Sequence, residues 1–434
     1  MDIATLSLFL LVAILALLAI GVPLGFATGF LGAGVLFLKF GVPGLGLVMQ
    51  RMYGLCTDYV LISVPLFIFM ASLLERSGIA RDMYNSLNAW LYKLRGGVAV
   101  VTTVMAVIMA AMSGIIGGEI VLLGLVALPQ MLRLGYDQNL AVGTICAGGS
   151  LGTMIPPSIV LIVYGLITET SIHSLFIAAV VPGLMLGGIY IIFILIRTHL
   201  KPSLAPIDTE TYKDMPLSEK VFLLKGVIPP LLLVFVVLGS IYGGVTSITE
   251  AAAMGAVGAI IIIYFRRELS YQLVKEAVTQ TFRAVGTIIW VTFGATILAG
   301  AYNLSGGPSY VANLIIGTDL PALGIMLLIM LIFLLLGMFM DWIGIVLLTM
   351  PVFLPLVVQL GYDPIWFGIL FCINMQVSFL SPPFGPAAFY LKSVCPPHIK
   401  LFDIFKGFGP FIVLQLIVLF SVLLFPQIAL FLVR

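Results

Sequence analysis

From Tyr302 to Pro364 the chain carries no lysine or arginine, and almost every residue is apolar. A helix needs about 20 such residues to cross the hydrocarbon of a bilayer, and runs of that length recur along the whole sequence. Of the 434 residues, 62% are hydrophobic and only 9% are charged, with mean hydropathy +1.23. A soluble domain carries roughly 25% charged residues. The chain is therefore expected to be an all-α polytopic membrane protein, with the lipid bilayer as its solvent. Its 20 Lys+Arg against 18 Asp+Glu leave a net charge of +2, too little for a nucleic-acid partner. Cys56, Cys146, Cys372 and Cys395 form no C-x-x-C pair, and the three histidines have no second ligand at helical spacing, which argues against disulfide, zinc and metalloenzyme readings. Met1 to Leu6 has no positive n-region and includes Asp2, so the first apolar run is expected to be a membrane helix rather than a cleaved signal.

Apolar runs between charges and Gly/Pro breaks predict spans at about 4–20, 23–40, 59–75, 138–166 and 174–196 in the first half. A long apolar block lies at 97–132. The second half offers 226–242, 247–265, 284–302, 364–392 and 408–432, with a block at 321–358. If each block is a re-entrant hairpin, each half has five crossings. With the N-terminus outside, 17 of the 20 cations then fall in cytoplasmic segments; only Lys39, Arg51 and Arg434 do not. A full crossing at 97–132 would destroy that sorting, so the positive-inside rule selects the hairpins. The expected termini are both periplasmic. Amphipathic stretches near 44–54, 79–93 and 268–283 suit helices lying in the interface, and Ser247 with Glu250 fits a helix cap.

The halves match at a shift of 226 residues. Leu134-Gly135-Tyr136-Asp137 returns as Leu360-Gly361-Tyr362-Asp363, Pro156-Pro157 as Pro382-Pro383, Cys146 as Cys372 and Tyr164 as Tyr390. An odd number of crossings per repeat turns the second copy upside down, an arrangement used by secondary transporters. The predicted organisation is a first inverted repeat at 1–196, a cytoplasmic linker at 197–225 and a second inverted repeat at 226–434.

Proline lacks an N–H and disfavours helix at the residue before it, so each Pro-Pro is expected to unwind its span, at 147–157 and 374–383. Backbone so freed is tolerated at that depth only where it lines a cavity or is buried in protein. The hairpin tips, around Ser113-Gly114-Ile115-Ile116-Gly117-Gly118-Glu119 and Gly337-Met338-Phe339-Met340-Asp341, supply free carbonyls for a small cation and helix N-termini for an anion. Gly152, four residues before Pro156, is expected to use positive φ to aim carbonyls. Glu119 and Asp341 are intramembrane carboxylates, functional or capping their own helices. No Lys or Arg lies in a tip or break, so an anionic substrate needs backbone N–H groups, co-bound cations and hydroxyls such as Ser113, Ser150, Ser378 and Ser381.

The break from Gly149 to Pro157 followed by Ser158, the Gly243-Gly244-x-Thr246-x-x-Thr249-Glu250-Ala251-Ala252 run and Ser381-Pro382-Pro383-Phe384-Gly385 resemble motifs of the large membrane subunit (DctM type) of tripartite ATP-independent periplasmic (TRAP) transporters. The resemblance covers essentially the whole chain. It implies an elevator-type, sodium-driven importer working with a small four-helix membrane subunit and a periplasmic substrate-binding protein in a bacterial or archaeal cytoplasmic membrane. It implies co-transported Na+ held by Ser113, Ile116, Gly152, Ile155 and Pro156 in one half, and by Gly337, Met340, Gln376, Ser378 and Ser381 in the other. The matching substrate contacts are Ser150, Thr153, Pro157, Asp341, Pro382 and Pro383. The family's first hairpin often has Ser-Gly-Ser-Ser where this chain has Ser113-Gly114-Ile115-Ile116, which shifts ligation there towards carbonyls. A small organic acid, such as a 2-oxo acid or other carboxylate, is the expected substrate. A stand-alone sodium–carboxylate symporter shares the plan and needs no partner. An intramembrane enzyme needs a catalytic set that this sequence lacks, and a channel needs both hairpins to form one filter.

Overall fold

The computed structural model describes residues 2–114, 117–207, 215–317 and 320–433, and among these residues the only regular structure is helical. The first half comprises α1 (Ile3–Ala19), α2 (Leu24–Cys56), α3 (Ser63–Arg76), α4 (Ile79–Leu91), α5 (Gly97–Ser113), α6 (Gly118–Arg133), α7 (Gln138–Gly149), α8 (Ile159–Thr168) and α9 (Ile172–Leu200). A short α10 (Leu217–Leu223) leads to α11 (Ile228–Tyr242), α12 (Ile248–Phe265), α13 (Tyr271–Leu304), α14 (Gly307–Ile316), α15 (Ala322–Gly337) and α16 (Trp342–Gln359). The chain ends with α17 (Pro364–Leu380), α18 (Pro386–Lys392), α19 (Leu401–Leu424) and α20 (Gln427–Leu430). Six helices are long and apolar enough to cross a membrane, eight if two bent pairs each count as one span. Shorter apolar helices, α5 and α15 in the helix pairs α5/α6 and α15/α16, and α8 and α17 in the broken spans, complete the apolar framework.

The internal repeat is visible in the backbone. Shifted by 226 residues, α5 to α9 fall on α15 to α19 in the same order. Gly135 and Gly361, one shift apart, both adopt positive φ, at 77° and 84°. They end α6 and α16: Tyr136 N–H returns to the Met131 carbonyl at 3.0 Å, and Tyr362 N–H to Val357 at 3.1 Å. That is a left-handed glycine stop. Asp137 then accepts the Leu140 N–H at 2.9 Å, and Asp363 the Ile365 N–H at 2.7 Å, capping the next helix in each half. The shared Leu-Gly-Tyr-Asp is a stop signal followed by a start signal. Gly41 (φ 66°) and Arg267 (φ 59°) form a second such pair, at the kink within α2 and the bend between α12 and α13.

Two expectations change. The stretch 268–283 is not a separate helix in the interface; it runs without a break into the following span as the 34-residue α13. No proline interrupts 271–304, whereas the matching segment of the first half turns at Thr57-Asp58 before α3. Helix α14 was not foreseen, although Gly306 (φ 82°) and Pro308 at its first turn mark its start. The Ser247–Glu250 capping box of α12 is present as expected.

Most buried apolar residues form one large core around α5–α9 and α15–α19. A smaller cluster joins Leu6, Leu10, Leu31, Val35 and Leu36 to Ile297, Leu298 and Ala301 across α1, α2 and α13. Helices α2 and α13 approach closely because Gly25 faces Trp290, Gly32 faces Leu298 and Gly294 faces Gly25. Small residues at a helix crossing give membrane helices the contact that apolar burial cannot supply. Phe30, Leu38, Phe235 and many other apolar side chains are exposed on the outside, as a lipid-facing surface requires. At one end Arg266 pairs with Asp82 at 2.6 Å and Glu268 at 2.8 Å, while Glu268 accepts the Gly78 N–H at 2.9 Å. This latch ties the α3–α4 bend, which turns by 62°, to the α12–α13 bend.

Candidate ion and substrate site

Each hairpin tip lies against the broken span of its own half. In the first half α5 ends at Ser113 and Gly114 turns with φ 61°. A Cβ on Gly114 would run into the Pro157 carbonyl, and the Gly114 carbonyl accepts the Ile159 N–H at 3.3 Å. The tip therefore seals Pro156-Pro157, and both prolines are buried. Among the described residues, the carbonyls of Ile155, Pro156 and Pro157 accept no hydrogen bond. Ile116 lies outside the described residues. Ser113 donates to the fully buried Glu119 carboxylate in the first turn of α6. The other Glu119 oxygen has no partner.

Three expected residues of this half sit differently. Gly152 lies in a 3-10 turn, Leu151–Thr153, and is not among the left-handed glycines. Ser150 donates to the Ala147 carbonyl at 2.8 Å and accepts from Gln415 at 3.3 Å; Thr153 donates to the Ser150 carbonyl at 3.0 Å. Both hydroxyls are fully buried and engaged by the protein itself. Short hydroxyl side chains readily satisfy nearby backbone carbonyls, and here they hold the break in shape.

In the second half Gly337, Met340, Asp341 and Ser378 meet around a void of about 20 Å³, lined also by Trp342, Met375, Phe379 and Pro386. That is room for one water-sized or smaller species. Gly337 makes the approach possible, because any Cβ there would strike the Ser378 side chain. The carbonyls from Gly337 to Met340 accept no hydrogen bond among the described residues, and α16 starts just beyond them at Trp342, with Asp341 at its N-cap. Unpaired carbonyls favour a cation; unpaired N–H groups at a helix start favour an anion. Asp341 holds the N-cap position of α16 and is exposed.

Gln376 and Ser381 do not line this void. Helix α17 continues to Leu380, so Gln376 is turned about 200° around the axis from Ser378. It is fully buried, with neither amide atom paired. Ser381 donates to the Val377 carbonyl at 2.7 Å, ending the helix. Pro382, Pro383 and Phe384 are exposed, unlike their buried counterparts in the first half.

Three residues that sequence reasoning passed over belong to the site. Asn374 donates to the Met330 carbonyl at 2.8 Å and anchors α15 to α17. Tyr390 stacks on Phe379 at 6.2 Å and covers Gly117, so the second break reaches the first hairpin tip. Glu75, at the end of α3, places its carboxylate against Gly118 at the start of α6. Its signal was an acid at the close of an apolar run.

The chain matches the family model described as the tripartite ATP-independent periplasmic transporter, DctM component, over residues 11–428. It is similar to the C4-dicarboxylate TRAP transporter large permease protein DctM of Pseudomonas aeruginosa, at 29% identity over 88% of this chain and 87% of that one. The ectoine TRAP transporter large permease protein TeaC of Halomonas elongata is 29% identical over 91% of each chain. The sialic acid TRAP transporter large permease protein SiaM of Vibrio cholerae is 27% identical over 96% of each. Among solved structures, the Alcanivorax borkumensis YdaH transporter superposes with a TM-score of 0.61 at 17% identity, covering 88% of this chain and 89% of that one, a likeness of fold. Matched helical pairs, two Pro-Pro breaks and a family model spanning nearly every residue converge: the chain belongs to the DctM family of TRAP transporter large permeases, a transport protein and not an enzyme.

Proposed function

We propose that this chain is the membrane-embedded engine of a sodium-coupled importer of a small organic acid. The observation that carries the proposal is the second hairpin tip, where unpaired carbonyls from Gly337 to Met340 meet Ser378 around a void of ion size. On this reading one Na+ sits there. A second sits between the Ser113-Gly114 tip and the unpaired carbonyls of Ile155, Pro156 and Pro157. The substrate docks where Pro382, Pro383 and Asp341 are exposed, near the N–H groups that start α16. No Lys or Arg lies at either tip or break, so the bound cations offset the substrate's negative charge and its affinity depends on sodium. The solutes in the relatives' names, C4-dicarboxylates and sialic acid among them, are organic acids. Hairpins and broken spans move together as an elevator past a frame that includes α2 and α13. The partners are a small membrane subunit and a periplasmic binding protein, in the inner membrane of a bacterium.

The test is uptake into proteoliposomes holding the chain with its small subunit, supplied with the ligand-loaded binding protein. An inward sodium gradient should drive accumulation, and ATP without sodium should not. Uptake driven by ATP alone would overturn sodium coupling. Full uptake of free substrate without the binding protein would favour the stand-alone symporter.

A further inference from the structure

The largest cavity described lies away from both hairpin tips. It measures about 1030 Å³ and opens between the second part of α2 with α13 on one wall and α8 with α16 on the other. Arg51 lines it together with Gln50, Thr57, Thr168, Thr296 and Asn303. By the charge sorting, this is the outer end of the molecule, where lysine and arginine are almost absent. Arg51 lies along α13 with its guanidinium over Gly300, whose Cβ position is 3.4 Å from Nε. Among the described residues it makes no hydrogen bond and no ion pair. Thr296, deeper on the same helix, has a buried hydroxyl without a partner. Two carboxylates share the cavity. Asp58 is occupied in accepting the Val60 N–H at 2.9 Å, and Glu169 ends α8 in the left-handed region with φ 53°.

We infer that this cavity is an outer anion-holding station, in which Arg51 receives the acidic group of an incoming solute before the hairpins engage it. A guanidinium offers a planar fork of donors that matches a carboxylate, and low-dielectric walls concentrate its field. The volume is that of a small-molecule site, which favours a free organic anion over an inserted protein side chain. Thr296, Gln50 and Asn303 around the fork supply neutral polar groups for the rest of the solute, whereas Thr57 and Thr168 already donate to the Tyr53 and Tyr164 carbonyls. The purpose of the station rests on the organic-acid import reading; its electrostatics do not, and they are tested without any transport assay.

The experiment places a cysteine at Thr296 in a Cys56→Ser, Cys395→Ser background of the full chain in right-side-out membrane vesicles. Modification rates are compared for a sulfonate-bearing and a trimethylammonium-bearing methanethiosulfonate reagent, with Arg51 intact and as Arg51→Gln. One unit charge at this range, partly screened, changes each reagent's rate about threefold, in opposite directions for the two. The ratio of anionic to cationic rates should therefore fall about tenfold in Arg51→Gln and rise in Glu169→Gln. Succinate should slow the reaction with Arg51 present and not with Arg51→Gln. An unchanged ratio, or equal protection by succinate in both proteins, overturns the station. Neither result depends on sodium coupling, which the uptake assay decides separately.

Discussion

At the scale of single residues, Gly337 and Gly114 are hairpin-tip positions that leave no room for a methyl group. A Cβ at Gly337 meets the Ser378 side chain, and one at Gly114 meets the Pro157 carbonyl while forcing a residue with a side chain to hold φ 61°. We expect Gly337→Ala and Gly114→Ala each to cut sodium-dependent uptake at least about tenfold at equal membrane abundance, since misplacing a binding geometry by an ångström costs on that order. Gly239→Ala in α11 has nothing within 4 Å of the new carbon and should transport normally. Normal uptake by Gly337→Ala would remove the second tip from the ion path. Much at this scale was legible: the Leu-Gly-Tyr-Asp pair encodes a helix stop and a helix start, and both appear. Gly152 was misjudged because glycine permits positive φ without requiring it, and a 3-10 turn uses ordinary φ. The second break was drawn from 374, but Pro382 disfavours helix at Ser381 and leaves the turns before it intact. Helix α17 could therefore run on to Leu380 and carry Gln376 to the face away from Ser378.

At the scale of elements, the latch around Arg266 pins together two bends whose helices, α3 with α12 and α13, already pack against each other. An exposed ion pair is worth about 1 kcal/mol or less, so the effect rests on Asp82, Glu268 and the Gly78 N–H converging on one corner. Partial burial pushes the Glu268 carboxyl up, but the Arg266 guanidinium and the Gly78 N–H outweigh it and hold the group below its ordinary value. A carboxylate held low stabilises the fold at every pH above its unfolded pKa. That contribution is lost only as the pH falls through the folded value. Protection of the Gly78 amide against hydrogen exchange, corrected for intrinsic rate, should thus be flat from pH 7 to about 5.5 and decline below the ordinary carboxylate range. In Glu268→Gln it should already be reduced at pH 7. Equal protection in the two proteins at neutral pH would show that the latch is ornamental. Element boundaries were legible wherever Gly or Pro punctuated the chain, as at Gly41 and Pro321. They were illegible across 271–304, where an amphipathic face passes into an apolar one with no stop between them.

At the scale of the whole molecule, the sorting of cations predicts that the hairpins enter from opposite faces. Arg95, just before α5, and Ser309, in α14 ahead of the second hairpin, are both exposed. Cysteine at Arg95 should react with an impermeant thiol reagent only from the cytoplasmic side, and cysteine at Ser309 only from the periplasmic side, in a Cys56→Ser, Cys395→Ser background. Reaction of both from one side would contradict the inverted arrangement. Membrane class and repeat period were legible because composition and rare-residue coincidences survive divergence. The unequal finish of the two halves was not. Pro156-Pro157 is sealed beneath its hairpin tip while Pro382-Pro383 stands open, although the motif is the same. Covering depends on neighbours contributed by the rest of the chain, which a local motif does not record. On the proposed reading, two copies of the first half would offer two shut doors and no place for cargo to land, and two copies of the second would leave both thresholds bare. Each half then supplies what the other lacks.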